Sequence, residues 1–228
     1  MSRTIRIAVT LFLMAAGLAV QAVADAKEEK GMVWRFEKSA PGTLPPGWRA
    51  AATNAKGRPL WRVVKEPSAP SASQVLEMTR PVRSARGVFG YGSVFNLCWT
   101  DRVRMENGTL EVAFRALSGE EDQGGGIAWR IADARNYYVA RYNPLEKNLR
   151  VYYLRDGRRV MLAGVHVALP KGWHRMKIVQ RGDRYEVYLD GKRMLAGEDR
   201  THTRAGGVGL WTKADAVTQF DDFEVVRW

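Results

Sequence analysis

The chain has a single cysteine, Cys98, among 228 residues. No intrachain disulfide can form, so the core must close by apolar burial alone. Cys98 falls in the strand-like run 94–98 and reads as a small buried hydrophobe. Helical amphipathicity is also missing. Beyond residue 24 no segment sustains apolar residues at i, i+3, i+4 and i+7, which argues against bundles and crossover-helix folds. Nor does any later apolar run approach the about 20 residues that a membrane helix needs. The three histidines, His166, His174 and His202, are too scattered to make a metal motif. No Gly-x-Ser-x-Gly elbow or phosphate-binding glycine loop occurs. Gly124-Gly125-Gly126 leads into a strand rather than a helix and suits a bulge or a close backbone approach.

The first residues read as an export signal. Arg3 and Arg6 form a positive n-region, residues 7–20 are apolar, and Ala22-Val23-Ala24 offers small residues at a cleavage site. Cleavage after Ala24 leaves 204 residues, enough for one substantial domain. Residues 25–30 are charged, with nothing to bury, and are expected to be a disordered lead-in. The organisation expected is therefore a signal peptide at 1–24, the lead-in at 25–30 and a single domain at 31–228, in the periplasm or secreted. The formal net charge of +12 includes Arg3 and Arg6 of the leader. The remaining excess of Arg is spread out, with no basic block. Outside the cytoplasm it suits an anionic envelope polymer rather than nucleic acid, or simply decorates outward strand faces.

What the chain does have is period-two alternation. Leu110, Val112, Phe114 and Ala116 share one face, with Glu111 and Arg115 on the other. Residues 174–180 and 184–189 repeat the pattern. Asn107-Gly108, Asp156-Gly157, Gly182-Asp183 and Asp190-Gly191 supply turns between such runs. Strands are expected at 32–37, 61–64, 74–78, 94–98, 109–117, 125–131, 137–142, 149–155, 159–163, 173–181, 184–189, 193–196, 207–212 and 217–226. Residues 44–59 and 67–73 read as loops. Without helices between them, these strands predict an all-β fold, a two-sheet antiparallel jelly-roll sandwich whose first and last strands pair.

Several segments together resemble one family. They are Phe36-Glu37 leading to Gly42-Thr43-Leu44-Pro45-Pro46-Gly47-Trp48; Asp122-Gln123 and the three glycines running to Trp129-Arg130; Asp133-Ala134-Arg135-Asn136-Tyr137-Tyr138; Gly172-Trp173-His174; Tyr188-Leu189-Asp190-Gly191-Lys192; and residues 207–215 running on to Phe220-Asp221-Asp222-Phe223. Their order is similar to that in bacterial exported domains of the concanavalin A-like lectin/glucanase superfamily. Within it, the chain resembles the 3-keto-disaccharide hydrolase domain family and its laminin-G-like relatives. The resemblance implies the sandwich and a connection with sugars.

Three functions follow as expectations: a non-catalytic glycan-binding module, a glycoside hydrolase acting on a modified (3-keto) disaccharide, and a structural domain that binds anionic envelope material. For binding, a sugar needs an aromatic platform beside planar polar groups. Tyr137, Arg141 and Asn143 share a strand face by alternation, Arg130 lies on the preceding strand, and Trp211 and Lys213 share a face of a late strand. Trp34, Trp61, Trp129 and Trp173 read as core. Hydrolysis generally needs two carboxylates flanking the bond. The Glu-x-Asp-x-x-Glu spacing of laminarinase-like members of this fold is absent, which leaves Asp222 and Glu224, with Asp221 expected on the opposite side. Glu120-Glu121-Asp122 reads as a solvated turn. The superfamily resemblance also implies a structural calcium, for which Glu37, Asp221 and Asp222 offer hard oxygens.

Overall fold

The computed structural model describes residues 31–83 and 94–228. The export signal and the lead-in lie outside the described residues. Fifteen strands follow among those described: β1 (Met32–Trp34), β2 (Trp48–Thr53), β3 (Leu60–Lys65), β4 (Gln74–Arg80), β5 (Phe95–Met105), β6 (Gly108–Ser118), β7 (Gly125–Asp133), β8 (Asn136–Asn143), β9 (Asn148–Arg155), β10 (Arg158–His166), β11 (His174–Arg181), β12 (Arg184–Leu189), β13 (Lys192–Glu198), β14 (Gly206–Lys213) and β15 (Val217–Arg227). No helix among the described residues is long and apolar enough to cross a membrane.

The strands form two antiparallel sheets packed as a sandwich. One runs β13-β12-β11-β6-β15-β4-β3, with β1 added along β15; the other runs β10-β9-β8-β7-β14-β5-β2. The expected pairing of the chain ends is present, with Met32 opposite Val225 and Trp34 opposite Phe223. Asp156-Gly157 and Asp190-Gly191 carry positive φ at both positions (53° and 78°; 47° and 79°). That is the type I′ geometry that matches strand twist, and it sets the β9–β10 and β12–β13 registers. Asn107-Gly108 has a different use, turning the chain from β5 in one sheet into β6 in the other.

Alternation decides which side chains enter the space between the sheets. Leu110, Val112 and Phe114 of β6 meet Met176 and Ile178 of β11 and Tyr185, Val187 and Leu189 of β12 there. Trp129, Tyr138, Ala140, Tyr142 and Leu210 come from the facing sheet. Cys98 is buried in the same core as a free thiol, and burial pushes its pKa well above the usual thiol range. A second apolar cluster lies on the outer face of the seven-stranded sheet, made by Phe95, Leu97, Trp99, Ala128, Ile131, Tyr137, Val139, Tyr152, Leu154 and Trp211. The centre of that sheet is thus buried on both faces.

Three sequence expectations need correction. Residues 48–53, read as loop, form edge strand β2; their Arg-Ala-Ala-Ala run hides the alternation because alanine marks neither face. The first strand stops at Trp34, and Phe36 takes a positive φ of 61°. Trp173 stands outside the core, with the Arg115 guanidinium 5.1 Å from its ring centroid. Trp61 and Trp129 are buried as expected, and Trp34 packs partly buried against the core.

Candidate functional site

The outer face of the seven-stranded sheet gathers most of the expected binding residues. Register places Arg141 of β8 opposite Arg150 of β9 on one side and Gly126 of β7 on the other. Gly126 in turn lies opposite Trp211 of β14. A Cβ on Gly126 would come within 1.9 Å of the Ala140 carbonyl oxygen, so that position cannot hold a side chain. Arg141 and Trp211 therefore lie on either side of a position without a side chain, and all three residues are buried. Asn143 and Lys213 continue the same faces of β8 and β14 by alternation.

Tyr137 and Trp211 anchor the apolar half. The Tyr137 hydroxyl accepts from Trp211 Nε1 at 3.1 Å and lies 3.0 Å from Thr53 Oγ1. Burial raises the Tyr137 pKa strongly, against the hydrogen bonds of Thr53 and Trp211. Trp211 stacks on Phe95 with centroids 5.3 Å apart. Both Tyr137 and Trp211 are fully buried. They form the floor of the face rather than an exposed stacking platform.

The polar half is organised by one loop. The Asp215 carboxylate accepts three successive backbone N–H groups, from Glu120, Glu121 and Asp122, at 2.7 to 3.1 Å. These amides hold the Asp215 pKa down although burial would raise it. The loop so pinned delivers Asp122 onto the sheet, only 1% exposed. This corrects the solvated-turn expectation for Asp122. Its carboxylate accepts from Asn143 Nδ2 at 2.9 Å and from Lys213 Nζ at 2.6 Å. Burial raises the Asp122 pKa, and the adjacent Lys213 charge opposes that rise.

Next to this pair lies an arginine cluster around Tyr152. Arg141, 1% exposed, donates to Asn148 Oδ1 and to Glu146 Oε2, each at 2.8 Å. Its Nη2 lies 3.4 Å from the Tyr152 hydroxyl, while its Nε is buried without a partner. Arg150 Nη1 approaches the same Glu146 oxygen at 3.3 Å and the same hydroxyl at 3.5 Å. Arg159 of β10 places its guanidinium carbon 4.3 Å from the Tyr152 ring centroid and 4.9 Å from that of Phe95. Arg159 Nη1 is buried with no hydrogen-bond partner. Burial lowers the Arg159 pKa, and the neighbouring Arg141 charge lowers it further. Burial would raise the Glu146 pKa, but hydrogen bonds from Arg141 and Asn148, with the charges of Arg141 and Arg150, hold it at about 2.

Arg130 is placed elsewhere. A register shift follows Trp129, and Arg130 takes a positive φ of 47°. Its guanidinium donates to the carbonyls of Glu106, Gly182 and His202 at 2.6 to 3.1 Å. It straps three loops together and has no part in the cluster around Tyr152.

Asp222 and Glu224 belong to the other sheet. A bulge between Asp221 and Glu224 breaks the expected alternation. Asp222 accepts from Arg35 Nε at 3.2 Å and Arg175 Nη2 at 2.9 Å. Glu224 pairs across the ladder with Glu111, which Arg175 also contacts. Asp221 pairs with Ala113, whose neighbours Val112 and Phe114 face the core, so it too lies on the outer face instead of opposite Asp222. The calcium candidates do not converge as a donor set. Glu37 accepts from the Ser73 and Gln74 amides, Asp221 from Ser71 and the Asp222 amide, and Asp222 from two arginines. Among the described residues, no three His, Cys, Asp or Glu side chains group to hold a metal ion. These carboxylates do not fit a calcium ion.

Sequence reasoning missed Arg159, Tyr152, Phe95, Glu146 and Asp122 as members of this face. The Asp156-Gly157 turn puts Arg159 opposite Leu154, and Leu154 pairs with Tyr137. That chain of registers was the available signal for Arg159.

No family model matches the chain, and no curated protein matches it. Among solved structures, it is similar to the carbohydrate-binding module CBM66 from Bacillus subtilis, with a TM-score of 0.59 and 17% identity over 78% of this chain and 93% of that one. It is also similar to a native glycosidic hydrolase, with a TM-score of 0.56 and 13% identity over 86% of this chain and 94% of that one. A third is the carbohydrate recognition domain of Emp47p, with a TM-score of 0.55 and 13% identity over 90% and 99%. At these identities the likeness is one of fold. The chain is a two-sheet antiparallel jelly-roll sandwich, the fold it shares with these structures.

Proposed function

We propose that the protein is a non-catalytic glycan-binding module, with the outer face of β14, β7, β8, β9 and β10 as its binding surface. The observation that carries this reading is the arginine cluster at the edge of this face, where the part-exposed Arg150 and Arg159 stand around the Tyr152 ring. Sugars are held by such planar polar donors beside apolar ring faces. The fold's likeness to a carbohydrate-binding module and a carbohydrate recognition domain supports the same reading. The reading includes export by the leader at 1–24, which would deliver the domain to envelope or external glycans. It omits hydrolysis through Asp222 and Glu224, because Asp222 is neutralised by two arginines on the opposite sheet.

The test is a glycan array probed with the full chain and two charge reversals. Arg150→Glu alters a part-exposed arginine on the proposed surface; Arg193→Glu alters an exposed one on β13 of the other sheet. Wild type and Arg193→Glu should bind the same glycans, and Arg150→Glu should lose them by tenfold or more. An array with no bound glycan, or equal binding by Arg150→Glu, would overturn the proposal.

A further inference from the structure

Three guanidinium groups surround Tyr152, and a single carboxylate, Glu146, serves two of them. The third, Arg159, forms no salt bridge and no hydrogen bond among the described residues; it lies over two aromatic rings, with its Nη1 buried and unpartnered. Taking a guanidinium out of water is costly unless an anion and hydrogen-bond acceptors replace the water. Stacking on Tyr152 and Phe95 offsets a part of that cost. The stacking leaves the buried Nη1 of the planar fork without an acceptor. Arg141 adds a second orphan, the Nε–H buried on the same face. Lys213 contributes a further positive charge, already committed to Asp122. On the opposite face several arginines have carboxylates, Arg35 and Arg175 at Asp222, Arg193 at Glu186 and Arg184 at Glu198, whereas Arg62 has a buried Nε without a partner and, among the described residues, lacks the aromatic stacking and neighbouring guanidinium groups of Arg159.

We infer that the ligand of this surface is an acidic glycan, whose oxyanion, a uronate carboxylate or a sulfate ester, docks on Arg159 beside Arg141. The inference rests on the glycan-binding reading above and names its ligand class. Arg159 keeps part of its surface in solvent, so an oxyanion can approach its fork from outside. A charge-assisted contact to a guanidinium is short and directional, and an arginine fork matches the two oxygens of a carboxylate. The neighbouring positive charges raise the local anion concentration and make binding salt-sensitive.

The experiment is titration calorimetry of the full chain with tetragalacturonate, its fully methyl-esterified form, a sulfated oligosaccharide and inorganic sulfate, at low and high salt. The expected result is binding of at least one acidic oligosaccharide, ten- to a hundredfold weaker binding of the ester, and weakening with salt. Arg159→Met should lose the acid's advantage over the ester. Because it removes a part-buried charge with no salt-bridge partner among the described residues, it should keep or raise the melting temperature. An arginine with a purely structural role would instead lower the melting temperature and leave the acid-to-ester ratio unchanged, and that result overturns the inference. Equal binding of acid and ester overturns the acidic class while leaving glycan binding intact. Binding of inorganic sulfate without any oligosaccharide overturns both readings, as does no binding at all.

Discussion

On the outer face of the eight-stranded sheet, Arg175 reaches both Glu111 and Asp222, and Arg193 reaches Glu186, itself bound by the Tyr188 hydroxyl. On the outer face of the seven-stranded sheet, Arg159 forms no salt bridge among the described residues, and Arg141 is buried with one donor unmet. The first face is wetter, and its ion pairs are part-exposed, which makes each pair worth little. The second is dry: Trp211, Tyr137 and Leu154 fill it as tightly as the core between the sheets. A charge held there unanswered implies a use other than stability. The difference teaches where to look for function in a sandwich rich in arginine throughout. The informative arginines are those without partners on a face that has excluded water.

Breaking the dry face should cost most. Trp211→Ala removes an indole packed on Phe95 and hydrogen-bonded to Tyr137, and should destabilise by about 3–5 kcal/mol in urea unfolding. Its counterpart on the wet face, Arg175→Ala, breaks two part-exposed pairs and should cost about 0–1 kcal/mol. Similar losses from both would erase the contrast.

A smaller effect sharpens the comparison through pH. Glu146 titrates at about 2 in the folded chain against 4.5 ordinarily. The unfolded chain therefore takes up this proton first as pH falls. The stability that Glu146 contributes is complete above about pH 4.5 and is lost as pH falls towards 2. Urea midpoints measured across that window should fall more steeply for the wild type than for Glu146→Gln. Parallel pH profiles would mean that Arg141 and Arg150 do not hold the carboxylate as described.

The sandwich was legible because alternation and turn chemistry agree. Leu110, Val112 and Phe114 point inward as period two requires, and the two Asp-Gly turns have the positive φ values that set their hairpins. What escaped was whatever depends on breaks in the pattern. Strand β2 is masked by its alanines. Arg130 takes positive φ at a register shift and leaves the face that simple alternation assigned to it, and the bulge at Asp222 puts Asp221 on the same outer face as Asp222 and Glu224. The Tyr137, Arg141, Asn143, Trp211 and Lys213 grouping was readable from alternation within single strands. Arg159 was not, because it needs two successive registers. The second, β8 to β9, runs through Pro144-Leu145-Glu146-Lys147, which carries no glycine turn signal. Asp122 was misread because its burial is imposed from a distance by Asp215, 93 residues away in sequence.

The most direct measurement is a map of amide chemical-shift changes in the full chain on titration with an acidic oligosaccharide that it binds. The account predicts that shifts cluster on β8, β9 and β10, with the Trp211 indole N–H among them and β11 to β13 silent. Shifts centred on β6, β11 and β15, around Asp222 and Arg175, would contradict it.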